Sequence, residues 1–161
     1  MTSFASVSFS TTFNFAFDTD INTVESFPGE ADFFSVAIHE IGHTLGIGIN
    51  ASWTALVTAG HTFIGTASMA ANGGSAVPLT SDDGHWATGT SSTVFGTAIA
   101  QAPSLNPTIS FNTRKYFTTL DVAGLQDIGF TTTAVPEPSS YALILGAAGL
   151  GWCIYRRRVA A

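Results

Sequence analysis

The chain has 161 residues, 45% hydrophobic and only 10% charged, which fits one domain or one domain with a tail. Residues 1–135 carry ten acidic side chains against Arg114 and Lys115 alone, so this acidic body is excluded as a nucleic-acid binder. The single cysteine, Cys153, excludes an intramolecular disulfide and leaves no thiolate for a metal in the body.

The N-terminus, Met1-Thr2-Ser3-Phe4-Ala5, has neither a basic region nor a long apolar run and does not read as a signal peptide. Residues 4–18 then alternate, with Val7, Phe9, Phe13, Phe15 and Phe17 separated by small or polar residues. That period of two predicts a strand or a hairpin, whose edge could pair with an extended peptide. Asp18-Thr19-Asp20 follows as a loop. Two acids there make a weak Ca²⁺ candidate, since such pairs more often just face water.

A helix is predicted from about residue 31 to Gly46. Pro28-Gly29 marks its entrance, Glu30 and Asp32 suit its first turn, and Gly46 and Gly48 suit a left-handed exit. Phe34, Ile38, Ile41 and Leu45 recur at helical spacing and predict a core stripe. Inside this helix stands His39-Glu40-Ile41-Gly42-His43, an H-E-x-x-H sequence. Residues four apart lie about 40° from each other around the axis, so both imidazoles can meet one Zn²⁺. Glu40 lies beside that line, where a general base could take a proton from a polarised water.

Beyond the helix, residues 54–80 read as mostly loop with short strands, and Asp82-Asp83-Gly84-His85-Trp86 reads as a turn followed by a histidine and a large aromatic. Leu105-Asn106-Pro107-Thr108 is a further turn. Thr118–Ile128 predicts a second helix, capped by Thr118 or Thr119, with Leu120, Leu125 and Ile128 inward and Gly129 at its end. Ala134–Ser140 is a Pro-containing linker, Tyr141–Tyr155 is uncharged and apolar, and Arg156-Arg157-Arg158 closes it. Fifteen helical residues rise about 22 Å, short of a ~30 Å hydrocarbon core, and flanking residues would extend the span. The arginines predict a cytoplasmic C-terminus with the body outside.

A catalytic zinc usually takes three protein ligands. A third histidine spaced as H-E-x-x-H-x-x-G-x-x-H would fall at position 49, which is Ile49. A downstream glutamate is excluded, because no Glu lies between Glu40 and Glu137. The remaining candidates are His85, His61 and the aspartates Asp82, Asp83, Asp121 and Asp127. His85 ranks first, as a histidine that follows a turn and precedes a bulky ring, whereas His61 reads as a solvated loop residue and Asp82 and Asp83 as turn formers.

Phe15–Asp20, Phe33–Gly46 and Leu120–Gly129 resemble the edge strand with its acidic loop, the active-site helix and the C-terminal helix of matrixin-type metzincins. More closely, His39–Gly46, His85-Trp86 and Leu105–Lys115 resemble bacterial surface metalloproteases with H-E-I-G-H-x-L-G, then H-W, then a segment like M-D-P-S-x-x-x-G-T-R-K. This resemblance implies His85 as third ligand and puts Leu105 where that family carries the methionine of its Met-turn. Val135–Ser139, the apolar run and the arginines resemble the PEP-CTERM sorting signal. That resemblance implies export in a Gram-negative bacterium, transient anchoring in the inner membrane, and processing by an exosortase before release to the surface or matrix.

The expected architecture is therefore α+β. A metzincin-like zincin domain over residues 1–133, with a small twisted sheet, an active-site helix and a C-terminal helix, precedes a sorting tail over 134–161. The expected function is a zinc endopeptidase with Glu40 as base, His39, His43 and His85 on the metal, and a protein or peptide substrate. The alternative is a non-catalytic exported protein whose protease site has decayed. Export without a signal peptide, and few residues ahead of the helix for a metzincin sheet, lead us to expect an incomplete N-terminus.

Overall fold

The structure, a computed structural model, describes residues 5–20 and 26–132, together with Gly146, Leu150, Trp152 and Tyr155 of the tail, which are helical. In order, the elements are β1 (Phe15–Ala16), β2 (Ala31–Asp32), α1 (Phe33–Thr44), α2 (Ala51–Thr54), β3 (Thr62–Phe63), α3 (Thr66–Ala71), β4 (Val77–Pro78), β5 (Ser92–Thr93), β6 (Ala100–Gln101) and α4 (Thr119–Asp127). The strands form three short ladders: β1 parallel to β2, β3 antiparallel to β4, and β5 antiparallel to β6. Of the alternating stretch over residues 4–18, only Phe15–Ala16 is strand among the described residues. Its phenylalanines pack instead on one another and on α1, with Phe9 and Phe17 rings 4.9 and 4.8 Å from Phe33.

α1 starts two residues later than the pattern predicts. Asp32 ends β2 and serves as N-cap, accepting from the Ser35 amide at 3.0 Å and the Ser35 hydroxyl at 2.6 Å. The same carboxylate receives two bonds from Arg114, at 3.1 Å from Nε and 2.8 Å from Nη2. Burial raises the Asp32 pKa, but the Arg114 and Ser35 hydrogen bonds outweigh it and hold the carboxyl below its ordinary value. Arg114 Nη1 also reaches the Asp18 carboxylate at 3.0 Å and the Asp20 carbonyl at 3.1 Å. In the acidic loop weighed as a calcium candidate, a guanidinium thus supplies a cation.

The core stripe predicted on α1 needs correction. Ile41 is 45% exposed and Phe34 and Ile38 are only half-buried, while Leu45, also half-buried, does pack against the core. The buried face carries Ser35, Val36, His39 and Gly42. Residues 104–115 cover that face through polar anchors and close backbone approach: the Lys115 amide donates to Ser35 Oγ at 2.6 Å, and Leu105 packs against Gly42.

The main core continues from Leu105. Ile47, Trp53, Phe63, Val77, Leu79, Trp86, Leu105, Leu120, Leu125 and Ile128 form one buried cluster. Trp53 stacks on Phe63 with centroids 4.1 Å apart, and Trp86 meets both rings edge-on. Gly124 lets α4 approach Trp86, for a Cβ there would stand 3.0 Å from the indole. α4 matches the predicted second helix within a residue at each end, and Thr118 with Asp121 builds a capping box.

α2 and α3 fall where the sequence reads as chain exit and loop. Asn50 caps α2 locally, bonding the Ser52 amide at 2.9 Å. The N-terminus of α3 is capped from a distance by Asp127, which accepts from the Ala67 and Ser68 amides at 2.8 Å each. A Cβ at Gly65 would lie within 2.2 Å of that carboxylate, so the glycine makes the approach possible.

Candidate metal centre

α1 presents His39 and His43 one turn apart, and the loop after the 82–84 turn brings His85 to meet them. The His43 Nε2 atom lies 3.1 Å from His39 Nε2 and 3.1 Å from His85 Nε2. Among the described residues these three form the one cluster of potential metal ligands, with one donor atom each within 4.8 Å of the others. His61 is not in it: its Nδ1 pairs with Asp83 Oδ1 at 2.9 Å on the surface. Asp127 caps α3, Asp82 shapes the turn before His85, and Asp121 is fully buried among donors.

The ring tautomers decide what the cluster can hold. His39 Nδ1 lies 2.7 Å from the Ser104 carbonyl, and His43 Nδ1 lies 2.9 Å from the Ile47 carbonyl. A carbonyl only accepts, so each Nδ1 carries a proton, which in the neutral ring leaves Nε2 as a bare lone pair. Two bare nitrogens 3.1 Å apart repel unless a proton or a cation lies among them. Zn–N bonds of about 2.0–2.1 Å on a tetrahedron place nitrogens about 3.3 Å apart, so the donor set fits Zn²⁺. Burial pushes the His39 pKa down, and burial with its two histidine neighbours pushes His85 down, so protons compete weakly for the site.

Asp121 holds the surrounding segments together. Its Oδ1 accepts from Trp86 Nε1 at 3.0 Å and the Leu105 amide at 3.2 Å; its Oδ2 accepts from the Ser104 amide, the Thr118 amide and the Thr118 hydroxyl at 2.8 Å each. One carboxylate thereby fixes the residue after His85, the residue whose carbonyl holds His39, and the start of α4. Burial pushes its pKa up, opposed by these donors. Leu105 is fully buried and packs on Gly42, immediately before His43.

Glu40 stands at the junction of two depressions. One, of about 560 Å³, lies between Ala5–Ser8 and the His43, Thr44 and Ile49 side of α1. The other, of about 220 Å³, is walled by Phe9, Phe13, Phe15, Val36 and Ile109. Ser8 and Glu40 line both depressions, and His43 lines the first.

The segment carrying His85 is set against the end of α1 by a close backbone contact. Gly48 has φ +81°, and a Cβ there would lie 2.3 Å from the Gly84 carbonyl oxygen. Gly48→Ala is expected to cost more than about 1 kcal/mol through backbone strain alone. It should also move His85 and weaken zinc binding at least about tenfold. Thermal melts with zinc titration check this, and wild-type values in both would refute the contact's role.

The comparisons with known proteins bear on the tail. Residues 134–158 match the family model described as the PEP-CTERM protein-sorting motif. This motif marks an exported protein, recognised by an exosortase and sorted at the membrane in Gram-negative bacteria. No curated protein and no solved structure matches the chain. No helix of the described residues is long and apolar enough to cross a membrane, and the predicted span Tyr141–Tyr155 lies, save four positions, outside them.

The sequence signalled the three histidines and Glu40 but not their supports. Ser104 and Ile47 act through backbone carbonyls, which carry no side-chain signature. Asp121 was weighed only as a metal ligand, and the T-x-x-D spacing from Thr118 is the signal that could have marked it as half of a capping box.

Proposed function

We propose that this chain is an exported zinc-dependent endopeptidase with a metzincin-like arrangement of its active-site helix. The observation that carries the reading is the convergence of His39, His43 and His85, two of them with Nδ1 on a backbone carbonyl, beside a glutamate lining two clefts. His39, His43 and His85 would hold Zn²⁺, which when bound supplies Lewis-acid polarisation of a water and of a peptide carbonyl. The Ser104 and Ile47 carbonyls keep two rings in the ligating tautomer. Glu40 takes a proton from the attacking water as its oxygen adds to the carbonyl carbon. It then returns that proton to the leaving nitrogen as the C–N bond breaks. The Ala5–Ser8 segment offers backbone along which a peptide can lie. After exosortase processing of the tail, the enzyme would act at the cell surface or in the extracellular matrix.

Ile49 and Leu105, standing where metzincins carry the third histidine and the methionine, favour a second reading: an exported protein that keeps the centre without catalysis. The position of Glu40 supports the enzyme, since a structural metal site needs no base there.

The deciding experiment measures zinc content and cleavage of a general protein substrate by the full chain, beside His85→Ala and His61→Ala. We expect zinc-dependent cleavage, lost zinc affinity in His85→Ala and unchanged affinity in His61→Ala. Zinc uptake without cleavage would favour the non-catalytic reading. A folded chain that takes up no zinc would end the enzyme reading and leave a protein whose site has decayed.

A further inference from the structure

The three histidines are not held alike. His39 and His43 each place Nδ1 on a backbone carbonyl, at 2.7 and 2.9 Å. His85 Nδ1 is buried and has no hydrogen-bond partner. A buried imidazole nitrogen left unmatched is costly, and for His85 it also leaves the tautomer unfixed. To offer Nε2 to a metal, this ring must carry its proton on Nδ1, and an N–H there needs an acceptor.

One carboxylate faces that nitrogen. Asp82 Oδ2 lies 3.8 Å from His85 Nδ1, beyond a hydrogen bond but within reach of a small side-chain rotation. Its other oxygen is committed: Asp82 Oδ1 accepts from the Thr80 hydroxyl at 2.5 Å and from the Gly84 amide at 3.1 Å. These two bonds pin the carboxylate at the turn and leave Oδ2 as the atom presented to His85. The ring is further steadied from its backbone, where the His85 carbonyl accepts from the Thr80 amide at 3.0 Å.

We propose that Asp82 is the positioning residue of His85: when metal binds, its Oδ2 closes on Nδ1–H and locks the third ligand in the ligating tautomer. The inference rests on the metal-centre reading. It assigns the third ligand a carboxylate partner where the two helix ligands have carbonyls. Loss of such a partner typically lowers metal affinity 10–100-fold. Asp82 is largely solvent-exposed, with 67% of its side chain accessible, so the lower end of that range applies here.

Asp82→Asn separates this role from turn building. Asparagine keeps an Oδ1 to accept from Thr80 and Gly84, but turns an NH₂ donor toward His85 in place of the acceptor. In the full chain, Asp82→Asn should melt like wild type without metal and bind zinc about tenfold more weakly. In the zinc-loaded protein, the NMR signal of the His85 Nδ1 proton should shift upfield or broaden relative to wild type, while those of His39 and His43 stay. Asp82→Ala, which loses the turn bonds too, should also melt lower. Zinc affinity within twofold of wild type in Asp82→Asn, or an unmoved His85 signal, overturns the proposal while leaving the zinc centre intact. Equal loss of metal-free stability in Asp82→Asn and Asp82→Ala would mean that Asp82 only builds the turn, and overturns it equally. A wild-type chain that takes up no zinc removes the metal-centre reading, and this inference with it.

Discussion

Glu40→Gln is expected to lower peptide hydrolysis at least about a hundredfold while zinc content and melting temperature stay at wild-type values. The substitution is nearly isosteric, so the clefts on either side of residue 40 should keep their shape. It removes the one property the mechanism asks of the residue, a lone pair basic enough to take a proton from water. Nothing in the three-histidine set changes, because the His39 and His43 rings are oriented by the Ser104 and Ile47 carbonyls, contacts that do not involve Glu40. The measurement pairs turnover of a protein substrate with metal analysis on the same sample. Hydrolysis at the wild-type rate would remove Glu40 from the reaction. A parallel loss of zinc would reassign it to holding the centre.

How far the sequence spoke for this site depends on the range of each interaction. H-E-x-x-H is local: helix periodicity alone puts His39 and His43 on one side, and the structure keeps that geometry within α1. The second helix was legible for the same reason, since Thr118, the apolar spacing and Gly129 act within a few residues of each other. His85 ranked first among open candidates by residue type, and bringing it to α1 takes contacts more than forty positions apart. α3 was not legible, because the Asp127 carboxylate that caps it comes from the other end of α4. The buried face of α1 was misread for a related reason. Apolar spacing pointed to Ile38 and Ile41, while the segment that covers the helix is attached through Ser35, His39 and Gly42, polar or small residues that a hydrophobic pattern passes over. The sparse sheet follows from the same preference for side-chain packing: the phenylalanines at 9, 15 and 17 satisfy themselves against Phe33 rather than along a long ladder.

Asp121→Ala is expected to be the most damaging single change away from the histidines. Five donors end on this carboxylate: the Trp86 indole, the amides of Ser104, Leu105 and Thr118, and the Thr118 hydroxyl. A buried donor left without an acceptor costs about 1–3 kcal/mol, and neighbouring losses are not additive. Removing a buried charge returns part of this, since burial already pushes the Asp121 pKa up. The balance still favours a loss of at least about 3 kcal/mol, in the range seen when one partner of a buried charged network is deleted. The site should suffer with the fold. Trp86 follows His85, and the Ser104 carbonyl orients the His39 ring, so both a loop histidine and a helix histidine lose their support. Zinc affinity should therefore fall even under conditions where the variant remains folded. Denaturant unfolding of the metal-free chain and a zinc titration check the two halves separately. A loss below about 1 kcal/mol would show that the donors find water instead, as groups near a surface do. Unchanged zinc affinity in a destabilised variant would show that Asp121 serves the core and leaves the histidines to be held by α1 and the Asp82 turn.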